Sequence, residues 1–384
     1  MRRWNWAQKG AAIFGIVTGL CTVVVTARAD VSSTNPAAIL VFPKVVVDST
    51  NGVDTLVQIS NVENQPVNVR CFYVNANGHC SSAPFQVCDP YGPNTCNQPG
   101  VCIPGWQETD FAFRLTSKQP IVFSARAGLP DLPLANQPGP KGEFNSGSIP
   151  PSPEDPMIGE LKCVQVGDDE LPVDQNWLKG EATIQTVSDT VVDVRGYNAI
   201  GIQAIEGANN RDNTLILGSE YNGCPNLLLV NHFFDGAQPN VVGGPQIRTD
   251  LTLVPCSQDF NFQAPRSVVA QYLVFNEFEQ RFSTSRGVTC FQEIALSDID
   301  TRPGTVDDAF SIFNVAVQGT LAGQTIIRGV QTTDPLRGTG LLGVIEEFHR
   351  SGDVTFSNAS TPHQRGIRTQ ADVILLPAAQ PSGM

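Results

Sequence analysis

Charge is scarce in this chain: charged residues make up 16% of its 384 residues, against about 25% in ordinary soluble proteins. That excludes a polyelectrolyte tail and a charge-laced coiled coil. Basic residues are scarcer still, with 24 Lys and Arg against 37 Asp and Glu and a formal charge of −13. A surface this acidic repels phosphate backbones, so nucleic acid is not an expected partner. The four histidines, His79, His232, His349 and His363, lie far apart, which excludes H-x-H and H-E-x-x-H patterns for metals or proteolysis. There is no C-x-x-C pair for zinc or redox work, no C-x-x-C-H for covalent haem, no G-x-S-x-G elbow and no S-x-x-K. Each of those motifs fixes a reactive group in a defined local geometry. Tryptophan is limited to Trp4, Trp6, Trp106 and Trp177, which leaves few aromatic faces for a carbohydrate platform.

Long apolar runs are also missing after the N-terminus. Residues 1–29 read as a secretory signal, with Arg2, Arg3 and Lys9 as the basic segment and Ala11 to Val25 as the apolar one. Ala27-Arg28-Ala29 is a small-x-small cleavage site that makes Asp30 the mature N-terminus. The apolar stretch is short against the roughly 20 residues needed to span a bilayer. Cys21 follows Leu20 rather than a small residue, which argues against lipid attachment. The expectation is an exported protein of the extracellular space, cell surface or periplasm, with no transmembrane anchor after cleavage.

Cleavage leaves Cys71, Cys80, Cys88, Cys96, Cys102, Cys163, Cys224, Cys256 and Cys290. The first five sit in Gly-, Pro-, Asn- and Ser-rich sequence, which in an oxidising compartment predicts a disulfide-stapled loop over 75–106. An odd number of cysteines leaves one thiol free or bridged to another chain. A second loop, 126–157, carries eight prolines from Pro130 to Pro156.

Elsewhere apolar and polar residues alternate with a period of two. Val57 and Ile59 oppose Gln58 and Ser60, Phe111, Phe113 and Leu115 oppose Asp110 and Arg114, and Ala182 and Ile184 oppose Thr183 and Gln185. Half-buried antiparallel strands give this pattern, because successive side chains face opposite sides of a sheet. The predicted fold is all-β: two tandem β-sandwich-like domains at 30–212 and 220–384, joined through 206–223. The segment PVNVRCFYVN (66–75) aligns with SVVAQYLVFN (267–276), and ILVFPKVVVD (39–48) sits in the same relative place as LLVNHFFDG (228–236). These matches suggest a duplication.

The stretch DTLVQISNVENQPVNVRCFYV (54–74) ends a strand in Ser-Asn, turns, and resumes in a Val-rich strand. In this it resembles a strand pair of bacterial immunoglobulin-like surface domains, over residues 38–75 with an echo at 250–276. The resemblance implies a β-sandwich used for display, adhesion or spacing, and it brings no catalytic residues.

Candidate chemistry is thin. Gly338 to Gly343 spells G-x-G-x-x-G, but a dinucleotide site needs that motif between a strand and a helix, so the glycines are expected to serve a bent strand. No cofactor is expected beyond calcium. Two acidic clusters offer calcium oxygens: Asp48, Asn51 and Asp54, and Asp298, Asp300, Asp307 and Asp308. Asn51-Gly52 is equally a hairpin turn signal. The function expected is a non-catalytic surface, adhesive or structural envelope protein that meets a protein or surface ligand through exposed loops. The alternative is a secreted hydrolase whose site is assembled from distant loops. Thiol titration of the denatured, unreduced chain from Asp30 onward is expected to find about one reactive thiol, or none if a disulfide joins two chains. Several reactive thiols would remove the staple and reopen metal binding.

Overall fold

The computed structural model describes residues 31–89, 94–97, 99–105, 107–129, 149–187, 192–238, 246–301, 310–333 and 338–378. The signal segment, Trp106, Asp307 and Asp308 lie outside them, as does most of the Pro-rich loop. The first half carries β1 (Val31–Ser32), β2 (Ile39–Val47), β3 (Val53–Asn61), β4 (Val67–Asn75), β5 (Gly78–Cys80), β6 (Ala83–Cys88), β7 (Cys102–Ile103), β8 (Gln107–Leu115), β9 (Pro120–Ser124), β10 (Met157–Val166), β11 (Leu178–Val187), β12 (Val192–Asn198) and β13 (Ile200–Ile202). The second carries β14 (Thr214–Ile216), β15 (Pro225–Phe233), β16 (Gln246–Pro255), β17 (Gln258–Asp259), β18 (Ser267–Asn276), β19 (Arg281–Thr289), β20 (Gln292–Ala295), the short helix α1 (Val315–Gln318), β21 (Ala322–Val330), β22 (Leu341–Ser351), β23 (Val354–Ser360), β24 (His363–Arg368) and β25 (Val373–Leu375).

These strands form an all-β fold of stacked, mainly antiparallel sheets, with β17 and β25 paired in parallel. The first half contains β1-β13-β2-β10-β4-β8 facing β12-β11-β3-β9, and the second contains β19-β18-β21-β15-β24 facing β20-β16-β22-β23. Small sheets, β14-β25-β17 and β6-β5-β7, complete the molecule. Within each half the framework is the same. The order β2-β10-β4-β8 corresponds strand for strand to β15-β21-β18-β19, and β12-β11-β3-β9 to β23-β22-β16-β20. The aligned segments 66–75 and 267–276 are β4 and β18, and 39–48 and 228–236 contain β2 and most of β15, so each pair occupies an equivalent place.

Strand β2, buried almost throughout, departs from the half-buried expectation, as do β4 and β10. One face of their sheet packs Leu40, Phe42, Tyr73 and Leu161 against Val57, Ile59 and Ile184. The other packs Ile39, Val41, Phe72 and Val164 against Val254, Phe260, Leu342 and Ile374 of the second half. Phe72 stacks on Phe260 with ring centroids 4.4 Å apart. The halves therefore share a core, and each fully buried aliphatic or aromatic side chain stabilises the contact by about 1.5–3 kcal/mol. The connecting segment 206–223 belongs to it too: β14 pairs with β25, and Leu215, Leu217 and Tyr221 are buried.

Charges buried between the halves are matched. Lys44 on β2 donates to Glu293 on β20 at 2.7 Å and to Glu346 on β22. Arg195 on β12 donates to the other oxygen of Glu346 and to Asp193 at 3.0 Å. Burial pulls the Lys44 pKa down, but the two carboxylates outweigh it and hold the ammonium above its ordinary value. Alongside, the edge strands β12 and β23 pack on each other, with Asp193 accepting from Ser357 N at 3.2 Å and from its hydroxyl.

Four disulfides form, and one cysteine expectation needs correction. Cys71 is not part of the loop staple, because it faces Cys163 across the β4–β10 ladder and bonds to it. The loop itself is closed by Cys80–Cys96 and Cys88–Cys102, and the second half by Cys224–Cys256. The remaining thiol, Cys290, is buried, so it is not placed to bridge to another chain. Replacing Lys44 by Met should leave the half-buried Glu293 without a cation and the buried Glu346 with Arg195 alone. A loss of about 3–5 kcal/mol in urea unfolding is expected; an unchanged midpoint would show that the halves do not depend on this contact.

Candidate functional site where two long loops meet

The two halves differ in what their shared framework carries. Between β18 and β19 the chain turns through Glu277 to Gln280, whereas the equivalent β4–β8 connection carries residues 76–106 with β5, β6 and β7. The β9–β10 connection carries the Pro-rich loop. The β4–β8 loop is thus an insertion into the first half, whereas the Pro-rich loop has a long counterpart in the second half, residues 296–321 with α1; the two first-half loops meet at Glu154.

Strand β4 ends in Asn75, and the chain then reverses into β5. Asn75 Nδ2 donates to Glu154 Oε2 at 2.6 Å, and Asn77 Nδ2 donates to the same oxygen at 2.8 Å and to the Pro156 carbonyl at 2.7 Å. His79 Nε2 lies 3.1 Å from Glu154 Oε1. Gly105 closes the loop where only glycine fits, since a Cβ there would lie 1.7 Å from the Asn77 carbonyl oxygen. A glutamate from the Pro-rich loop therefore clamps the root of the disulfide-closed insertion. Burial alone would raise its pKa, but the hydrogen bonds from His79, Asn75 and Asn77 prevail and hold the carboxyl below its ordinary range.

Beyond this root the two disulfides sit side by side. Cys80, Cys88 and Cys96 are the one group within metal-ligand distance of one another among the described residues. Their sulfurs are oxidised, and a metal needs thiolates, so this group is a covalent clamp. The module's small sheet leaves Val87, Val101 and Ile103 exposed, the latter two at 56% and 52%. The module also borders a cavity of about 400 Å³ shared with the second half, where Asn77, Val87, Asp89 and Gly105 face Arg248, Asp250 and Asp298. Arg248 Nε donates to Asp250 at 2.8 Å. The rest of the lining is largely apolar, with Val87, Ile158, Phe291 and Ile294, and its charged groups besides Arg248 are acidic, so the cavity suits a mainly apolar group bearing a cationic or neutral polar end.

The other candidates are dispersed. Asp48 accepts from the backbone and side chain of Asn51 at 3.0 and 2.6 Å, closing the β2–β3 hairpin. Asp54 instead accepts from Ser124 Oγ at 2.6 Å and Arg126 N at 3.0 Å, so these three residues do not form one ligand set. Asp298 lines the cavity, while Asp300 accepts from Ser311 Oγ and from Ile312 N. Asp307 and Asp308 fall outside the described residues. His232 is buried between Thr325 and the Phe233 carbonyl, and burial lowers its pKa to about 4. His349 pairs with Glu347 at 2.6 Å, and His363 is exposed at the start of β24. The G-x-G-x-x-G run enters a strand, not a helix. A Cβ at Gly340 would lie 2.5 Å from that of Cys224 and 2.6 Å from Asp372 Oδ2, so the glycine is needed for close packing beside the Cys224–Cys256 disulfide.

The Glu154 clamp was not visible beforehand, since no local spacing connects Glu154 to residues 75–79. The chain matches no protein-family model and no curated protein sequence.

Because the folded-state pKa of Glu154 is depressed, the clamp stabilises fully above the ordinary carboxylate pKa and weakens as pH falls through the folded value. Hydrogen exchange, corrected for intrinsic rates, should show residues 76–80 and 157–158 losing protection on acidification from neutral pH before β2 and the rest of β10 do. In Glu154→Ala that protection should already be reduced at neutral pH. Equal protection in the variant at all pH values would remove the clamp.

Proposed function

We propose that this chain is an exported, non-catalytic surface, adhesive or structural envelope protein of the bacterial immunoglobulin-like kind, which contacts a protein or surface ligand through the two long loops of its first half. The observation that carries the reading is the exposure of Val87, Val101 and Ile103 on a module fixed by two disulfides and the Glu154 clamp. Apolar side chains on a pre-ordered surface bind with little ordering cost, because the conformational entropy has already been lost on folding. The N-terminal signal pattern and the disulfides support an oxidising destination. His79, the histidine nearest the module, is engaged in holding Glu154, which supports a positioning rather than a catalytic role.

Replacing residues 78–104 by a short Gly/Ser linker should abolish surface association in cell fractionation while circular dichroism retains the β spectrum. Val101→Ser with Ile103→Ser should weaken association about tenfold, as expected for loss of one to two kcal/mol from apolar anchors. His79→Ala should leave it within about twofold. Turnover of a hydrolysable ester, glycoside or peptide by the wild type that disappears in folded His79→Ala would instead favour the secreted hydrolase.

A further inference from the structure

Strand β10 carries two ionisable side chains to the face covered by the second half. Glu160 and Lys162 are two residues apart and so point the same way. Both are 0% exposed. Lys162 Nζ lies 3.9 Å from Glu160 Oε2 and donates to Oε1 of Gln258 on β17. Phe260 covers the group, its ring centroid 5.9 Å from Nζ. Gln258 is itself buried, and its Nε2 has no hydrogen-bond partner; neither Glu160 oxygen has one either. Asp372 and Cys290 also face the amine, but Asp372 is engaged with Ser257, Thr369 and the Gly340 amide.

A buried ion pair serving stability alone requires its remaining lone pairs to be satisfied. Here a carboxyl and an amide nitrogen are held dry and unbonded beside an amine. We propose that Lys162 and Gln258 join in an intramolecular isopeptide bond, with Glu160 as the proton-transfer residue. The Nζ–Cδ bond forms, the Cδ–Nε2 bond of Gln258 breaks, and ammonia leaves. Glu160 takes a proton from the attacking nitrogen and returns one to the departing nitrogen, ending unchanged, so no oxidant or cofactor takes part. The reaction needs a neutral amine and a carboxyl that exchanges protons readily. Burial lowers the Lys162 pKa, and burial opposed by Lys162 raises that of Glu160 to about 7. Exclusion of water by Phe72 and Phe260 protects the acyl carbon from hydrolysis. The bond would tie β10 of the first half to β17 of the second, which no disulfide does.

The test is intact-mass spectrometry of the folded protein from Asp30 onward, followed by peptide mapping after reduction. The expected result is a mass lower by one ammonia than the reduced sequence predicts, together with a branched peptide joining Lys162 to Gln258. Lys162→Arg and Glu160→Gln should each restore the missing mass and yield linear peptides only. Linear, unmodified peptides containing Lys162 and Gln258 in the wild type would overturn the proposal, whether or not the variants fold. Ammonia loss located elsewhere, as at an Asn-Gly succinimide, would overturn it equally.

Discussion

Lys44 occupies a position where a cation survives only because the second half of the chain covers it with carboxylates. Its sheet is buried on both faces, so its ammonium has no route to water, and desolvating a lone charge there would cost several kcal/mol. Glu293 and Glu346 supply the compensation from β20 and β22, and Arg195 balances Glu346 in turn. Apolar contacts such as Phe72 on Phe260 stabilise the same interface more strongly in total, but they tolerate sliding. The ion pairs do not, because a shift of one strand position would leave a charge uncovered. The relative placement of the halves, and with it the cavity that both line, follows from that requirement.

The duplicated framework separates what holds the molecule together from what differs between its halves. Eight strands recur in the same order in each half, while the connections between the third and fourth strands and between the fifth and sixth do not. Only the first half fills the former with a disulfide-closed sheet. Loops tolerate such insertions because their backbone is solvated and their closure entropy grows slowly with length. Variation is thus concentrated where Glu154 joins the two loops.

Much of this was legible from residue order alone. Alternation at Val57 to Ser60 and Asp110 to Leu115 marked strands, and the match of 66–75 to 267–276 paired two strands that prove equivalent. Lys44, Arg70, Glu160 and Lys162 were misleading, since charged residues in a strand normally mark its solvent face. Lys44 is buried because its partners come from far along the chain: Glu293 and Glu346 lie 249 and 302 positions away. Proximity in sequence also misassigned Cys71, which lies near the loop cysteines but bonds across the ladder to Cys163. The site was visible only as two unusual loops, because the glutamate that unites them carries no local signature.

The eighth strands of the two halves, β12 and β23, lie at sheet margins and abut each other at the Asp193–Ser357 contact. A bare margin offers a row of amide and carbonyl groups to any extended chain that meets it, which is how many β proteins come to polymerise. Here each margin obstructs the other. Val192, Val194, Val354 and Phe356 remain exposed on these strands, yet an incoming strand would have to separate the two halves before it could pair along the facing margins. Crowding many copies together therefore favours side-chain contacts at this seam over growth of a continuous sheet.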